Sequence, residues 1–543
     1  FDAEWLVLRL LPLKTMTTKS EEEDPTSTTY SISSISDDSF KRLNADKLLE
    51  AYGPKGRYQI MGHFLCQFVA TLYSASFMVV NYTSIVPSTH CISVNQTAAN
   101  LTGVCSRREE CAGQLVYAED THPVGSLLYE FGEECTGPFW SEAGTTFYVM
   151  GAMLLGPVFC RLCDMYGRRR ILLITLYLSV VVSLAIPFSP NYYVYVGLRF
   201  LLGAVADAMY TISLLLMIEL VSSESRPWIS FYQSIFWAAG GIWISLVSFA
   251  TSDWRVLYGV SSSLGLLTVS FIWFLPESPY WMITHDKHAM LAEYVTKANK
   301  MNGVAVNLRD CSGEKDQTNE GNQAQLRDIL RNGRFMKVVA INGFIQFSLS
   351  LTLFSISFMS TLITNDATTG YIVIGLADIP GGLSVLFLMR HFGRRWIVGA
   401  PVVLLGFVLL AVPLFNDGSW PVVALLAIAK YLNSIAYAVH PVFAAESVPT
   451  NTRSFAGSIM NIPQSIGMLL GPFFKHTVHN LPWMSYSSLF AVSLISALLL
   501  LFLKETKGCD LAENLNDLGE SRRASARRRN DSAKNKLIES NVD

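Results

Sequence analysis

Apolar residues in this chain come in long runs set off by polar breaks. Twelve runs are long enough to cross a bilayer as helices, which takes about 20 residues at helical rise. They fall near 60–86, 143–163, 171–188, 192–218, 228–250, 255–275, 337–363, 369–389, 396–415, 420–444, 454–474 and 485–503. The pattern predicts an all-α membrane protein with twelve transmembrane helices. Polar stretches divide it into an N-terminal tail (1–59), a first half (60–281) with a long loop at 87–142, a linker (282–336), a second half (337–503) and a basic tail (504–543). In the linker Leu291, Tyr294, Val295, Ala298 and Met301 repeat at helical spacing, which predicts an amphipathic helix lying on the membrane or on the spans.

Composition agrees: 51% of residues are hydrophobic and 15% charged, outside the soluble range. The net charge of −2 says nothing about partners; the apolar runs make the lipid bilayer an expected partner, and nucleic acid is not expected. The distribution of charge says more. Arg168, Arg169 and Arg170 follow the second run, and Arg394 and Arg395 the eighth, whereas "SPNYY" and "NDGSW" at the opposite ends hold no Lys or Arg. Cytoplasmic loops retain basic residues, so both clusters and both termini are expected inside and 87–142 outside. That loop carries Cys91, Cys105, Cys111 and Cys135, expected to form two disulfides in one of three pairings. It also carries Asn95-Gln-Thr and Asn100-Leu-Thr, acceptors for glycosylation.

The Arg clusters belong to an internal repeat. Gly167-Arg168-Arg169 recurs as Gly393-Arg394-Arg395, offset 226; Glu219 and Arg226 recur as Glu446 and Arg453, offset 227; "FLPES" from Phe274 recurs as "FLKET" from Phe502, offset 228. Three motifs in one register make the chain two six-helix halves in tandem with the same orientation. Transporters built this way hold substrate between the halves near mid-membrane.

"DMYGRRR" resembles the signature loop of the major facilitator superfamily. Within it, "PESPYW", "SDWRVLYG", "LKETKG", "GRYQ" and "NYTSIVPSTHC" resemble the organic cation, organic anion and carnitine transporter family, from about Gly53 to Asp510. The resemblance implies that Asp164 forms a cytoplasmic latch with Glu219 and Arg226, holding the outward-facing state. Gly167 and Gly156 suit close helix approach, and Asp164 suits helix N-terminal amides or cations. In the second half Arg390 stands where the first has Asp164, so a latch there rests on other residues, with Glu446 and Arg453 as candidates.

Charges inside the spans cost about 2.5–3.5 kcal/mol each and need a partner or a watery cavity. Asp378 and Lys430 align with acidic and basic positions of the family; they either pair with each other or meet substrate. Asp207 faces either the cavity or Arg199. Ser465 stands where the family's cation carriers have Asp and its anion carriers Arg, and Gly382 replaces a Lys of the anion carriers. Those losses favour cations, although "NYTSIVP" looks closer to anion carriers. Gln233, with Tyr210, Tyr232, Phe236, Trp237, Phe347 and Tyr437, supplies polar contact and flat faces for an organic cation.

There is no G-x-x-x-x-G-K-[ST] run, metal-ligand cluster or nucleophile–base constellation, so neither an enzyme nor a cofactor is expected. The sequence predicts a plasma-membrane, alternating-access carrier of small organic ions, leaning to cations or carnitine-like zwitterions, with a coupling ion or counter-substrate as a further partner. An organic anion exchanger, and a carrier-fold receptor or scaffold that no longer transports, are the competing readings.

Overall fold

The structure, a computed structural model, describes residues 43–53, 56–84, 125–133, 137–222, 225, 227–251, 253–304, 306, 332–363, 367–415, 419–449 and 452–507, and three short strands between 89 and 117. The first half holds span one (Arg57–Met78, continued by Val80–Thr83), two (Ala143–Tyr166), three (Arg168–Ala185), four (Tyr192–Leu220), five (Pro227–Ala250) and six (Trp254–Ser263, continued to Phe274). The second half holds seven (Gly333–Ile363), eight (Ala367–Leu376 with Asp378–His391), nine (Arg394–Ala411), ten (Trp420–Glu446), eleven (Arg453–Leu470) and twelve (Pro482–Leu500).

Among the described residues eleven helices are long and apolar enough to cross a membrane. Span eleven is the exception, because Ser458, Asn461, Gln464 and Ser465 interrupt its apolar residues. It packs along span seven and is joined to it by Gln346 Nε2 donating to Gln464 Oε1 at 2.8 Å.

Small residues set the tightest packing. A Cβ added to Gly203 on span four would lie 1.9 Å from the Tyr148 carbonyl oxygen of span two, and one on Gly151 of span two 2.0 Å from the Phe200 carbonyl oxygen of span four. The two backbones therefore touch, as small-residue helix pairs allow.

In the 87–142 loop, β1 (Thr89–Ile92) pairs antiparallel with β2 (Ala99–Asn100) and β3 (Gln114–Tyr117). Cys105, Cys111, Cys135 and Asn95 lie outside the described residues; Cys91 and Asn100 sit on β1 and β2 by backbone alone. The Trp254-Arg255 motif ties this loop to span six, as Trp254 Nε1 donates to Glu130 Oε2 at 2.5 Å and Arg255 Nη2 to Glu130 Oε1 at 2.6 Å.

The linker helix forms at His288–Asn302 and packs on span one. Leu291, Tyr294, Val295 and Ala298 are buried as their spacing predicts; Met301, 40% exposed, falls off the buried stripe near the C-terminal end. "GRYQ" is the socket: Gln59 Nε2 donates to the Tyr294 hydroxyl at 3.2 Å, Asn302 Nδ2 to Gln59 Oε1 at 3.0 Å, and the Tyr58 amide to Asn302 Oδ1 at 2.9 Å. Part of the expected tail is also folded: Asn44 caps a helix at Ala45–Tyr52, and the Tyr52 hydroxyl donates to Asn299 Oδ1 at 2.8 Å.

Candidate functional site

The repeated charge motifs build matching clusters at one end of the bundle. Arg168 Nε lies 3.1 Å from Glu219 Oε2, and Arg394 Nε 3.4 Å from Glu446 Oε2. Arg168 Nη2 also reaches Asp164 Oδ1 at 3.3 Å, so Asp164 meets a cation rather than helix amides. The amides go to glutamates that the sequence reading did not assign a role. Glu277 Oε1 accepts from the Arg169 amide at 3.0 Å, and Glu505 accepts from the amides of Arg394 at 2.8 Å and Arg395 at 3.2 Å. Each caps the positive N-terminal end of span three or nine. Their signal was the "FLPES" and "FLKET" repeat itself.

Burial pushes the Glu277 carboxyl up, against the pull of the Arg169, Ser278 and Arg168 amides. Gly167 makes this corner possible: its φ of 103° lies where L side chains are strained. Arg226 lies outside the described residues; Arg453 begins span eleven, and its side chain is likewise outside them. Arg390 gives its carbonyl oxygen to Lys507 Nζ at 2.8 Å. In the second half Arg394 thus has Glu446 as its acid, with no counterpart of Asp164.

At the opposite end the two halves are joined. Lys475 Nζ, in the short helix Phe473–Asn480 after span eleven, lies 3.1 Å from Glu142 Oε1, just before span two. His476 Nε2 is 3.0 Å from the same oxygen, and Lys475 also donates to the Ser84 carbonyl at 3.4 Å. Glu142 is fully buried. Burial alone would raise its carboxyl, but Lys475 and His476 outweigh that and hold it below the usual carboxylate range. At the Arg-cluster end, no ion pair between described residues crosses from one half to the other.

Between these ends lies a cavity lined by Ser74, Met78 and Trp237 of the first half and Ser357, Asp378 and Lys430 of the second. Lys430 Nζ is 3.7 Å from Asp378 Oδ2 and donates to Ser357 Oγ at 2.6 Å. The two residues are 3% and 6% exposed, so they neutralise each other inside the second half.

On the first half's side Trp237 leads into an aromatic cluster. Tyr73 and Tyr210 stack at 4.5 Å, and Trp237 lies 5.8 Å from Tyr73 and 6.3 Å from Tyr210. The Tyr73 hydroxyl donates to Asp207 Oδ1 at 3.3 Å, and Gln233 Nε2 to the Tyr210 hydroxyl at 3.3 Å. Tyr437 packs against the cores of both halves, and its hydroxyl accepts from Gln464 Nε2 at 2.8 Å.

A chain of two such halves invites comparison with known transporters. Residues 74–517 match the sugar (and other) transporter family. The chain belongs to that family. Its membership agrees with the solved structure of the proton:xylose symporter of the major facilitator superfamily, which superposes with a TM-score of 0.58 at 18% identity over 85% of this chain and 99% of that one. Within the family it is 32% identical to a Caenorhabditis elegans protein described as a transporter, over 92% of this chain and 89% of that protein. It is 23% identical to the human organic cation/carnitine transporter 2, over 76% and 74%, and 24% identical to the Drosophila melanogaster organic cation transporter protein, over 77% of each. These relatives bear out the resemblance to organic cation, anion and carnitine transporters.

The transporter gathers Asp207, Tyr210, Gln233 and Trp237 into one cluster with Tyr73, and of these Trp237 lines the cavity, as do Asp378 and Lys430, which form one pair. Asp207 does not meet Arg199, whose Nη1 donates to the Ser76 carbonyl at 2.7 Å and Nε to the Gly144 carbonyl at 3.2 Å. Ser465 is half-buried and returns its hydroxyl to the Asn461 carbonyl at 3.1 Å. Tyr232 and Phe236 pack with Phe64 away from the cluster, and Phe347 packs within the second half. Tyr73 was missed because an aromatic within an apolar run carries no signal that it faces a carboxylate.

Proposed function

We infer that the protein carries small organic cations or zwitterions across the plasma membrane by alternating access, with both termini cytoplasmic. One observation carries the choice of charge: Lys430 is tied to Asp378, whereas Asp207 accepts from Tyr73 in the cluster with Tyr210 and Trp237 and pairs with no cation among the described residues. An ammonium gains from the carboxylate and from the aromatic faces, while an anion finds no free cation among these residues. The names of the organic cation/carnitine relatives support the same choice.

In this reading the ammonium sits on Asp207 and its aromatic neighbours Tyr73, Tyr210 and Trp237, beside the cavity that Trp237 shares with the Asp378–Lys430 pair. The Glu142–Lys475–His476 contact is the outer closure. The Asp164–Arg168–Glu219 and Arg394–Glu446 clusters stiffen each half's cytoplasmic end, so the halves rock as units about the site. The anion-exchanger reading needs Lys430 released from Asp378. Uptake of a small panel of ammonium ions and of aromatic carboxylates, in cells expressing the chain, with and without Na⁺, tests it. Saturable uptake of the ammonium ions supports this function; saturable carboxylate uptake alone overturns it, and no uptake of either favours a receptor.

A further inference from the structure

Arg199 on span four is fully buried, and no acid pairs with it among the described residues. Its Nε donates to the Gly144 carbonyl at 3.2 Å and its Nη1 to the Ser76 carbonyl at 2.7 Å, while Nη2 is buried without a partner. Its Cζ lies 4.6 Å from the centre of the Tyr148 ring. The nearby acids are engaged elsewhere. Asp207, eight residues on, accepts from Tyr73, and Glu142, two residues before Gly144, holds Lys475 and His476. A buried carboxylate can shed its charge by taking a proton, but a guanidinium stays charged, so only an anion relieves it.

Beside Arg199 the first half holds a small cavity of about 30 Å³ between spans one, three, four and six. It shares no lining residue with the cavity between the halves. Arg199 borders it: Ser76, whose carbonyl Arg199 holds, and Leu202, one turn further along span four, both line it. Ser76, Arg199 and Ser261 each stand seven residues from the end of their span, at Thr83, Tyr192 and Trp254 (83 − 76, 199 − 192, 261 − 254), so they share one level.

The hydroxyls of this cavity leave donors over. Ser76 gives its proton to the Tyr73 carbonyl and Ser179 to the Leu176 carbonyl. Ser183 and Ser262 share one bond at 2.5 Å, and Tyr258 shares one with Tyr195 at 3.0 Å, so each pair keeps one O–H to give. Ser261, 6% exposed, lines the cavity, and its hydroxyl has no partner among the described residues.

Donors without acceptors, next to a cation without an acid, make an anion site. At about 10–15 Å³ for a water-sized particle, the cavity has room for a single-atom ion and none for a carboxylate on a carbon chain. We propose that the first half binds one anion of chloride size here, held by the Ser261 and Tyr258 hydroxyls and balanced in charge by Arg199. The site is separate from the substrate site and is independent of which organic ion the protein carries.

The test uses the full chain, purified in detergent in sodium gluconate, with radiolabelled chloride as probe. Binding should saturate at one ion per chain, and bromide should compete where further gluconate does not. Ser261→Ala should weaken binding by about tenfold or more, the worth of a hydrogen bond to a charged group. Ser261→Val, which fills the cavity and leaves Arg199 in place, should abolish it in protein that still elutes as a single species. Saturating chloride should raise the unfolding temperature of the wild type and leave that of Ser261→Val unchanged. Arg199→Gln should also lose binding, but the Ser261 variants decide the matter if that protein fails to fold. The double variant Asp378→Asn/Lys430→Met should bind chloride as the wild type does. No saturable binding, which would leave water in the cavity, overturns the proposal. So does binding that survives Ser261→Val and is lost in the double variant, which would place the ion between the halves.

Discussion

Lys430→Met gives the sharpest test of how the second half handles its charges. The substitution leaves the Asp378 carboxylate, 6% exposed, without the ammonium 3.7 Å away. Breaking one side of a buried pair typically costs about 3–5 kcal/mol, because the remaining charge is buried without compensation. Asp378→Asn should cost a similar amount by stranding Lys430, whose other described bond is to Ser357 Oγ at 2.6 Å. The double variant Asp378→Asn/Lys430→Met removes both charges and should cost far less than the sum, leaving a coupling of at least about 2 kcal/mol. Unfolding titrations of the purified proteins in mixed micelles measure the cycle, with tetraethylammonium uptake followed in parallel. Single losses that add within about 0.5 kcal/mol would refute the pairing. Lys430 would then be a cation free to meet an anionic substrate, and the charge preference argued here would reverse.

The two copies of the glycine corner should respond differently. Gly167→Ala meets both a positive φ of 103° and Glu277 Oε2 at 2.8 Å, whereas Gly393, with φ −73°, offers only the movable Glu505 carboxylate at 2.2 Å. Alanine at 167 should destabilise by about 1–3 kcal/mol and alanine at 393 by less, as thermal unfolding of the two variants will show. At the outer contact, a depressed Glu142 carboxyl strengthens closure at pH above the ordinary carboxylate value and gives that strength up as pH falls through the depressed one. Spin labels at Phe139 and Leu481, both exposed, should therefore separate on acidification and, in Glu142→Gln, already be apart at neutral pH. An unchanged distance distribution in both would remove Glu142 from the gate. Trp237→Ala should weaken binding of tetraethylammonium by about 2–30-fold, the span of cation–π energies from 0.5 to 2 kcal/mol, measured on protein that is shown to be folded. Asn95→Gln and Asn100→Gln should each remove one glycosidase-sensitive step in gel mobility.

Much of the architecture was legible because the membrane imposes it. Spans must be long and apolar, and the tandem repeat put Arg168 and Arg394, Glu219 and Glu446, into equivalent positions before any contact was known. The structure pairs them as the repeat requires. What the sequence could not show depends on direction within a span. Asp207 could equally have turned to Arg199; the register of spans one, two and four turns it to Tyr73 and Gly156 instead. Glu142 and Lys475 stand 333 residues apart and follow no repeat, so nothing local marked them as partners. The linker helix was visible in its apolar spacing, but its seat on span one depends on Gln59 and Asn302, polar residues that read as surface. Residue type did not separate Tyr210, Gln233 and Trp237, which share the cluster with Tyr73, from Tyr232 and Phe236, equally aromatic, which pack with Phe64.

The central claim is that an organic cation binds between the halves on Asp207 and its aromatic neighbours. Tetraethylammonium uptake at matched surface expression tests it in the wild type, Asp207→Asn and Trp237→Ala. The account predicts saturable uptake in the wild type, abolished or reduced at least about tenfold without the carboxylate and reduced within the cation–π range without the indole. Uptake unchanged in both variants, or carried only for aromatic carboxylates, would contradict it.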